Sequence, residues 1–260
     1  MPYAVCTVAA APMRNEPSHR AEMTSQVLFG ETVSLLETRD EWVRIKCLYD
    51  GYEGWITHHL ITAIDEKRAT APNSFVATGL FNEVTYENQL FQIPMGSSLP
   101  GFNEATCLLW DEKFKYNAVY RNTTEQPTTE LFQNTILPWL NAPYLWGGKT
   151  AMGVDCSGFV QTVFKVLGVP LLRDAYQQAE QGITVLNIED ATESDVAFFK
   201  NDSEKITHVG IVLAGKKIIH ASGYVRIDSL TGNGIVTAEG RQTHQLYSIK
   251  RIAQFEAAHL

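Results

Sequence analysis

The 260-residue chain has no apolar run near the roughly 20 residues that span a bilayer, so no membrane helix is expected. Its first twenty residues, MPYAVCTVAAAPMRNEPSHR, do not read as a secretory signal: Pro, Tyr and Cys interrupt a short apolar patch, and no basic region precedes it. A chain whose leader has been removed would begin the same way. Cysteine is scarce. Cys6, Cys47, Cys107 and Cys156 are far apart and form no CxxC pair, which argues against a disulfide framework or a zinc knuckle and suits a reducing compartment. Basic residues are outnumbered, 21 against 29 acidic, for a net charge of −8, and no basic block stands out. Nucleic acid and anionic membranes are therefore not expected partners. Low-complexity tracts are also missing. These absences point to a cytoplasmic globular protein, with a monomer as the default and the oligomeric state left open.

Residues 1–66 hold five short strand-like pieces, Ala4–Val8, Ser25–Leu28, Thr32–Glu37, Trp42–Cys47 and Gly54–Thr57, separated by turn residues such as Arg39-Asp40 and Asp50-Gly51. Five short strands in about sixty residues suggest a small barrel, with Trp42 and Trp55 as core plugs. The order Met13-Arg14-Asn15-Glu16-Pro17-Ser18, Phe29-Gly30-Glu31, Glu41-Trp42-Val43-Arg44-Ile45 and Asp50-Gly51-Tyr52-Glu53-Gly54-Trp55-Ile56 resembles a bacterial SH3 (SH3b) domain. Residues 67–125 open on a linker, Glu66 to Asn73. Strand-like Phe75–Ala77, Glu83–Tyr86, Gln89–Gln92 and Lys115–Tyr120 follow, as in a second, degenerate SH3b-like domain. Cys107 falls in an apolar stretch and is expected in the core.

Residues 126–260 are α+β in pattern. A helix is expected from Thr128 to about Leu140, with Leu131, Ile136 and Leu140 on one side and Pro138 bending or shortening it. A second helix begins near Cys156 and stops at Gly168 and Pro170. Consecutive strands joined by short turns follow at Val196–Phe199, His208–Leu213, Lys217–Ala221, Val225–Ser229 and Tyr247–Ile252, giving an antiparallel α+β domain.

Two features of this region carry chemistry. Cys156 sits in or beside the first turn of a helix, where unpaired N–H groups and the positive dipole end favour a thiolate. In the strand Thr207–Leu213, alternation sends Val209, Ile211 and Leu213 one way and His208 the other. His220 lies on the next strand. A loop of three or five residues centred on Ala214 would set the two histidines opposite each other on one face, with Cβ atoms roughly 4.5–5.5 Å apart. A thiol nucleophile needs a base and a third polar group that orients the base, roles that suit His208 and His220. The other histidines, at 19, 58, 59, 244 and 259, have no comparable setting. A zinc site made by Cys156, His208 and His220 is an alternative that lacks a carboxylate or second thiolate at ligand spacing.

Residues of about 130–253 resemble an NlpC/P60 cysteine peptidase domain. The matching blocks are Pro143-Tyr144-Leu145-Trp146-Gly147-Gly148, Asp155-Cys156-Ser157-Gly158-Phe159-Val160-Gln161, Arg173-Asp174-Ala175, Asp195-Val196-Ala197-Phe198-Phe199, Thr207-His208-Val209-Gly210-Ile211 and Ile219-His220-Ala221-Ser222. Ser194 stands where the family usually has Gly. The resemblance implies a papain-like fold with Cys156 as nucleophile, His208 as base and His220 as the third polar residue. It also implies that the Cys156 N–H and the Tyr144 hydroxyl stabilise the oxyanion. No cofactor or metal is implied. An SH3b domain ahead of such a domain resembles the γ-D-glutamyl-L-diamino acid endopeptidases, which act on murein peptides. Their pattern implies that Asp174 binds the free amine of an N-terminal L-Ala, with Ala175 where the subgroup often has Ser. Trp146, Ser157 and Arg173 fall with the substrate-binding residues, and Tyr52 and Glu53 are candidates from the SH3b wall. Asp174 is equally well read as a helix N-cap. Two rival functions stay open: a non-catalytic cell-wall peptide binding module, and an amidase or acyltransferase using the same cysteine.

Overall fold

A computed structural model describes residues 2–86, 88–102, 114–116 and 119–252. The expectation for Cys107 lies outside them. The chain divides into two compact units, Met1–Glu125 with Trp146–Ala151, and Gln126–Leu145 with Met152–Leu260.

In the first unit, alternating apolar residues build a seven-stranded antiparallel sheet in the order Met23–Leu28, Ala10–Arg14, Glu53–Thr57, Trp42–Cys47, Thr32–Arg39, Tyr3–Cys6, Ile61–Ile64. It contains all five expected strands and two more. Ala10–Arg14 is masked in the sequence by Pro12, but only Arg14 of this strand pairs with Glu53–Thr57, so the missing proline donor leaves no gap on that side. Trp42 and Trp55 are both buried. The expected linker begins with a one-turn helix, Glu66–Ala69, capped by Asp65. Beyond it, Phe81–Tyr86 pairs with Gln89–Pro94 and Phe114–Tyr116, while Phe75–Ala77 pairs with Tyr120–Asn122. The expected strand 115–120 is thus divided between two ladders. Ala77, Val84, Ile93, Leu99 and Tyr116 form the core there, joined by Phe29. The Trp146–Ala151 segment packs in the same unit. Gly147 has φ +76°, and a Cβ on it would lie 2.4 Å from the Met23 carbonyl oxygen, so only glycine fits.

The second unit begins with α1 (Thr129–Ile136), capped by Thr128, whose hydroxyl accepts from Leu131 N–H. Pro138 ends it in a 3-10 turn, Leu137–Trp139. Ile136 is buried as expected, but Leu140 is exposed because the chain has left helical geometry before reaching it. The buried helix α2 (Cys156–Val166) closes in a Schellman motif: Gly168 N–H donates to Lys165 C=O and Val169 N–H to Phe164 C=O. The short α3 (Ala175–Gln178) follows. Seven strands come next: β1 (Ile183–Val185), β2 (Val196–Lys200), β3 (Ile206–Leu213), β4 (Lys217–Ser222), β5 (Tyr224–Thr231), β6 (Gly234–Val236) and β7 (Gln242–Arg251). Their order is β1-β7-β2-β3-β4-β5-β6, and β6 also pairs with β7, which closes β2–β7 into a six-stranded antiparallel ring. Ala197, Phe199, Val212, Ile218, Leu230, Ile235 and Ile249 form an apolar cluster on one face. Both faces of β3 are buried, not the single face that its alternation suggested. Among the described residues, no helix is long and apolar enough to cross a membrane.

Candidate active site

Cys156 is the first residue of α2 and is buried. Asp155 caps this helix, accepting from Gly158 N–H at 2.6 Å and from the Ser157 hydroxyl at 3.3 Å. Arg173 holds the same carboxylate through two nitrogens, at 3.1 Å and 2.6 Å, and donates to the Ser157 oxygen at 2.9 Å. Arg173 is only 1% exposed. Its guanidinium binds Asp155 and Ser157 and so braces the start of α2. Ser157, also expected at substrate, is likewise buried in this internal network.

The helix start does not make Cys156 a resting thiolate. Burial pushes its thiol up to about 12, and the adjacent Asp155 carboxylate adds to that. The N–H groups of Val209 and Ser157 and the charge of Arg173 act in the opposite direction and are outweighed. The expectation from the helix dipole alone is therefore corrected: desolvation and the capping carboxylate win. The Val209 N–H interaction also sets the Cys156 thiol against the residue that follows His208.

Tyr144 is held by backbone on both sides. It bridges to Val154 in parallel register and donates its N–H to Gly223 C=O at 3.0 Å. Its hydroxyl lies within the electrostatic reach of Cys156. Burial, then the Cys156 and Asp155 charges, raise its pKa, so the phenol keeps its proton and stays a donor.

His208 and His220 come together, though not as opposed residues. The β3–β4 turn is Ala214-Gly215-Lys216, one residue later than expected, and Gly210 is the register partner of His220. The two histidines are diagonal neighbours on one face, and His208 Nε2 lies 2.8 Å from His220 Nδ1. Each ring thus spends one nitrogen on the other, an arrangement unlike the zinc alternative. Gly210 makes room for this: a Cβ there would lie 2.8 Å from His220 Cβ.

Two residues without a sequence-level assignment complete the cluster. Asp228 Oδ2 is 3.0 Å from His220 Nε2. The His244 ring stacks on His208 at a centroid distance of 4.1 Å and an interplanar angle of 25°. His244 was set aside in the sequence for want of a neighbour, which closure of the ring by β7 supplies. By strand alternation, His208, His220 and Asp228 share the face of Val212, Ile218 and Leu230. The polar groups therefore stand on an apolar floor. Burial, then the charges of His244 and His220, holds His208 well below its usual 6.5. Burial also lowers His220, against the pull of Asp228, and it lowers His244 to about 4.

Asp174 begins α3 as its N-cap, and Gln177 Oε1 accepts from its N–H at 3.0 Å. Asp174 and Ala175 are both partly exposed. Trp146 belongs to the first unit, where its indole N–H donates to Glu22 at 2.6 Å; no sequence signal marked that glutamate. In the same unit Glu53 pairs with Arg44 at 2.8 Å, and Tyr52 packs against the barrel core.

A buried thiol at a helix start, set against the N–H of the residue after a strand histidine that is paired with a second one, fits a cysteine-type peptidase on a papain-like α+β domain. Residues 141–240 match the NlpC/P60 family model, and residues 13–60 match that of the bacterial dipeptidyl-peptidase SH3 domain. The chain thus carries an NlpC/P60 domain over residues 141–240 behind a bacterial SH3 domain over residues 13–60. It is 27% identical over 212 residues to the gamma-D-glutamyl-L-lysine dipeptidyl-peptidase of Bacillus subtilis, covering 76% of this chain and 71% of that protein. Dipeptidyl-peptidase 6 of Lysinibacillus sphaericus is 24% identical over 94% of both chains. The crystal structure of an NlpC/P60 family protein from Bacillus cereus shares the fold, with a TM-score of 0.81, 20% identity, and coverage of 96% of this chain and 99% of that one.

Proposed function

We propose that the protein hydrolyses the bond between γ-D-Glu and the diamino acid in murein peptides that carry a free N-terminal L-Ala, as a cytoplasmic step of cell-wall peptide recycling. The observation that carries this reading is the Cys156–His208–His220 arrangement, in a chain similar along most of its length to gamma-D-glutamyl-L-lysine dipeptidyl-peptidases. His208 takes the thiol proton and the thiolate attacks the γ-carbonyl carbon. The Tyr144 hydroxyl and the Cys156 N–H donate to the oxyanion. His208 then protonates the leaving amine, and water attacks the thioester to release the L-Ala-γ-D-Glu dipeptide. Asp174, partly exposed ahead of α3, is the residue we assign to the substrate ammonium.

The test is mass spectrometry of products from L-Ala-γ-D-Glu-meso-diaminopimelate and its lysine counterpart, each with and without N-terminal acetylation. Cleavage at the γ-bond of the free peptides alone is expected. In Asp174→Asn, kcat/KM should fall for the free peptides. An equal loss on acetylated peptides would remove amine recognition from Asp174, and cleavage at another bond would overturn the substrate assignment.

A further inference from the structure

The buried Asp228 carboxylate is shared between Arg226 and His220. Arg226 Nη2 donates to Oδ1 at 2.8 Å, and Arg226 Nε lies 2.8 Å from Oδ2 without hydrogen-bond alignment. The hydrogen bonds from Arg226 and His220 overcome burial and keep Asp228 below the usual carboxylate range. It is therefore an acceptor only. His220 must then carry its hydrogen on Nε2, facing Oδ2 at 3.0 Å. A neutral His220 so protonated has its lone pair on Nδ1, which lies 2.8 Å from His208 Nε2. His208 must donate there, so its own lone pair is on Nδ1.

We propose that Asp228 is a positioning residue that fixes the tautomers of His220 and, through it, of His208, so that His208 Nδ1 is the base for Cys156. This rests on the peptidase reading above and deepens it. When the thiol ionises, the S–H bond breaks and an N–H bond forms at His208 Nδ1. The imidazolium keeps its Nε2–H on His220 Nδ1, and His220 keeps its Nε2–H on Asp228. A fixed negative charge thus stands one ring behind the new positive one, and no proton leaves the cluster. The groups facing this relay are Arg226 on β5 and His244 on β7, with Phe199 on β2 against His208.

Asparagine is an informative substitute. Arg226 Nη2 keeps the amide oxygen at the Oδ1 position, which turns the NH2 toward His220 Nε2. His220 must then protonate Nδ1, which forces His208 to accept at Nε2 and places a hydrogen on its Nδ1, where the base is needed. Asp228→Asn should lower kcat by about 10²- to 10⁴-fold with KM within threefold, as expected when a triad tautomer is reversed. Asp228→Ala imposes neither tautomer and should retain more kcat than Asp228→Asn. A carboxylate with only a packing role predicts the opposite order.

Nitrogen-15 NMR of the imidazoles reads the tautomers directly, in the wild type, without a substrate. Expected are Nε2–H on both His208 and His220, and an Nδ1–H on His208 in Asp228→Asn. An Nδ1–H on wild-type His220, or an Asp228→Asn kcat within threefold of wild type, would overturn the proposal. If the wild type cleaves no murein peptide, the substrate assignment fails alone. The NMR and the rate of Cys156 alkylation by iodoacetamide, slower in Asp228→Asn than in wild type if the proposal holds, still decide the tautomers.

Discussion

His208 and His220 touch at 2.8 Å although neither is the other's partner in the sheet. The diagonal is set by a three-residue turn, and a one-residue slip of the β3–β4 register would send one imidazole to the opposite face. The contact between the two rings therefore depends on turn geometry as much as on the identity of the residues. Gly215 and Lys216, both at positive φ, are the positions that hold that geometry.

Cys156 is a buried thiol, its pKa raised to about 12, so in the proposed mechanism its proton leaves during the reaction. Its alkylation by iodoacetamide should be slow at pH 7 and climb through pH 9 without a plateau. Cys156→Ala should lose at least about 10⁴-fold in turnover while melting within a few degrees of wild type. A plateau near neutral pH would show a preformed thiolate, and residual turnover in the alanine variant would remove the nucleophile.

Gly210→Ala tests the packing beneath the histidine pair. The new methyl would lie 2.8 Å from both His220 Cβ and Ile218 Cδ1, closer than real side chains approach. Overpacking of this kind costs about 1–3 kcal/mol. Since His220 is what moves, kcat should fall along with the urea midpoint while KM holds. A variant that is destabilised yet fully active would show that His220 tolerates displacement.

The Cys156 helix was legible in the sequence because every signal for it is local: an amphipathic run that begins after small and polar residues, and a Gly–Pro stop. The histidine pair was legible to within one residue, since alternation fixes the face but not the turn. Asp228 follows the same logic one hairpin later. Ser222 and Tyr224 pair across Gly223, so Asp228 is diagonal to His220, and a parity count from that glycine reaches it. His244 was not legible. It arrives through the pairing of β6 with β7, a ring closure that no short-range pattern announces. The pairing of Arg173 with Asp155 was not legible, because a motif places a residue in sequence and says nothing of its burial.

Arg173→Leu probes that buried pair. The substitution leaves the Asp155 carboxylate without the two nitrogens that hold it at 2.6 and 3.1 Å. Breaking a buried ion pair from one side costs about 3–5 kcal/mol, because the remaining charge stays desolvated. Urea denaturation should report a loss of that size. A loss below about 1 kcal/mol would mean that water or another group reaches Asp155.

His244 makes the last prediction, through two pH dependences of known sign. Its ring covers His208 at 4.1 Å, and burial followed by the His244 charge is what holds His208 below 6.5. His244→Ala admits water, so His208 should titrate at higher pH, and the acidic limb of kcat/KM should move up. His244→Phe keeps the cover and removes only the like charge, so its shift should be smaller in the same direction. Stability responds separately. Between 6.5 and about 4 the unfolded chain takes a proton at residue 244 that the native state refuses, so stability falls as pH drops through that window. Each such proton contributes a slope of about 1.4 kcal/mol per pH unit. The Phe variant should lose up to one proton of that slope in urea midpoints measured from pH 7 to 4. If the limb and the slope are both unchanged in the two variants, the stacked ring neither shields the base nor titrates with the fold.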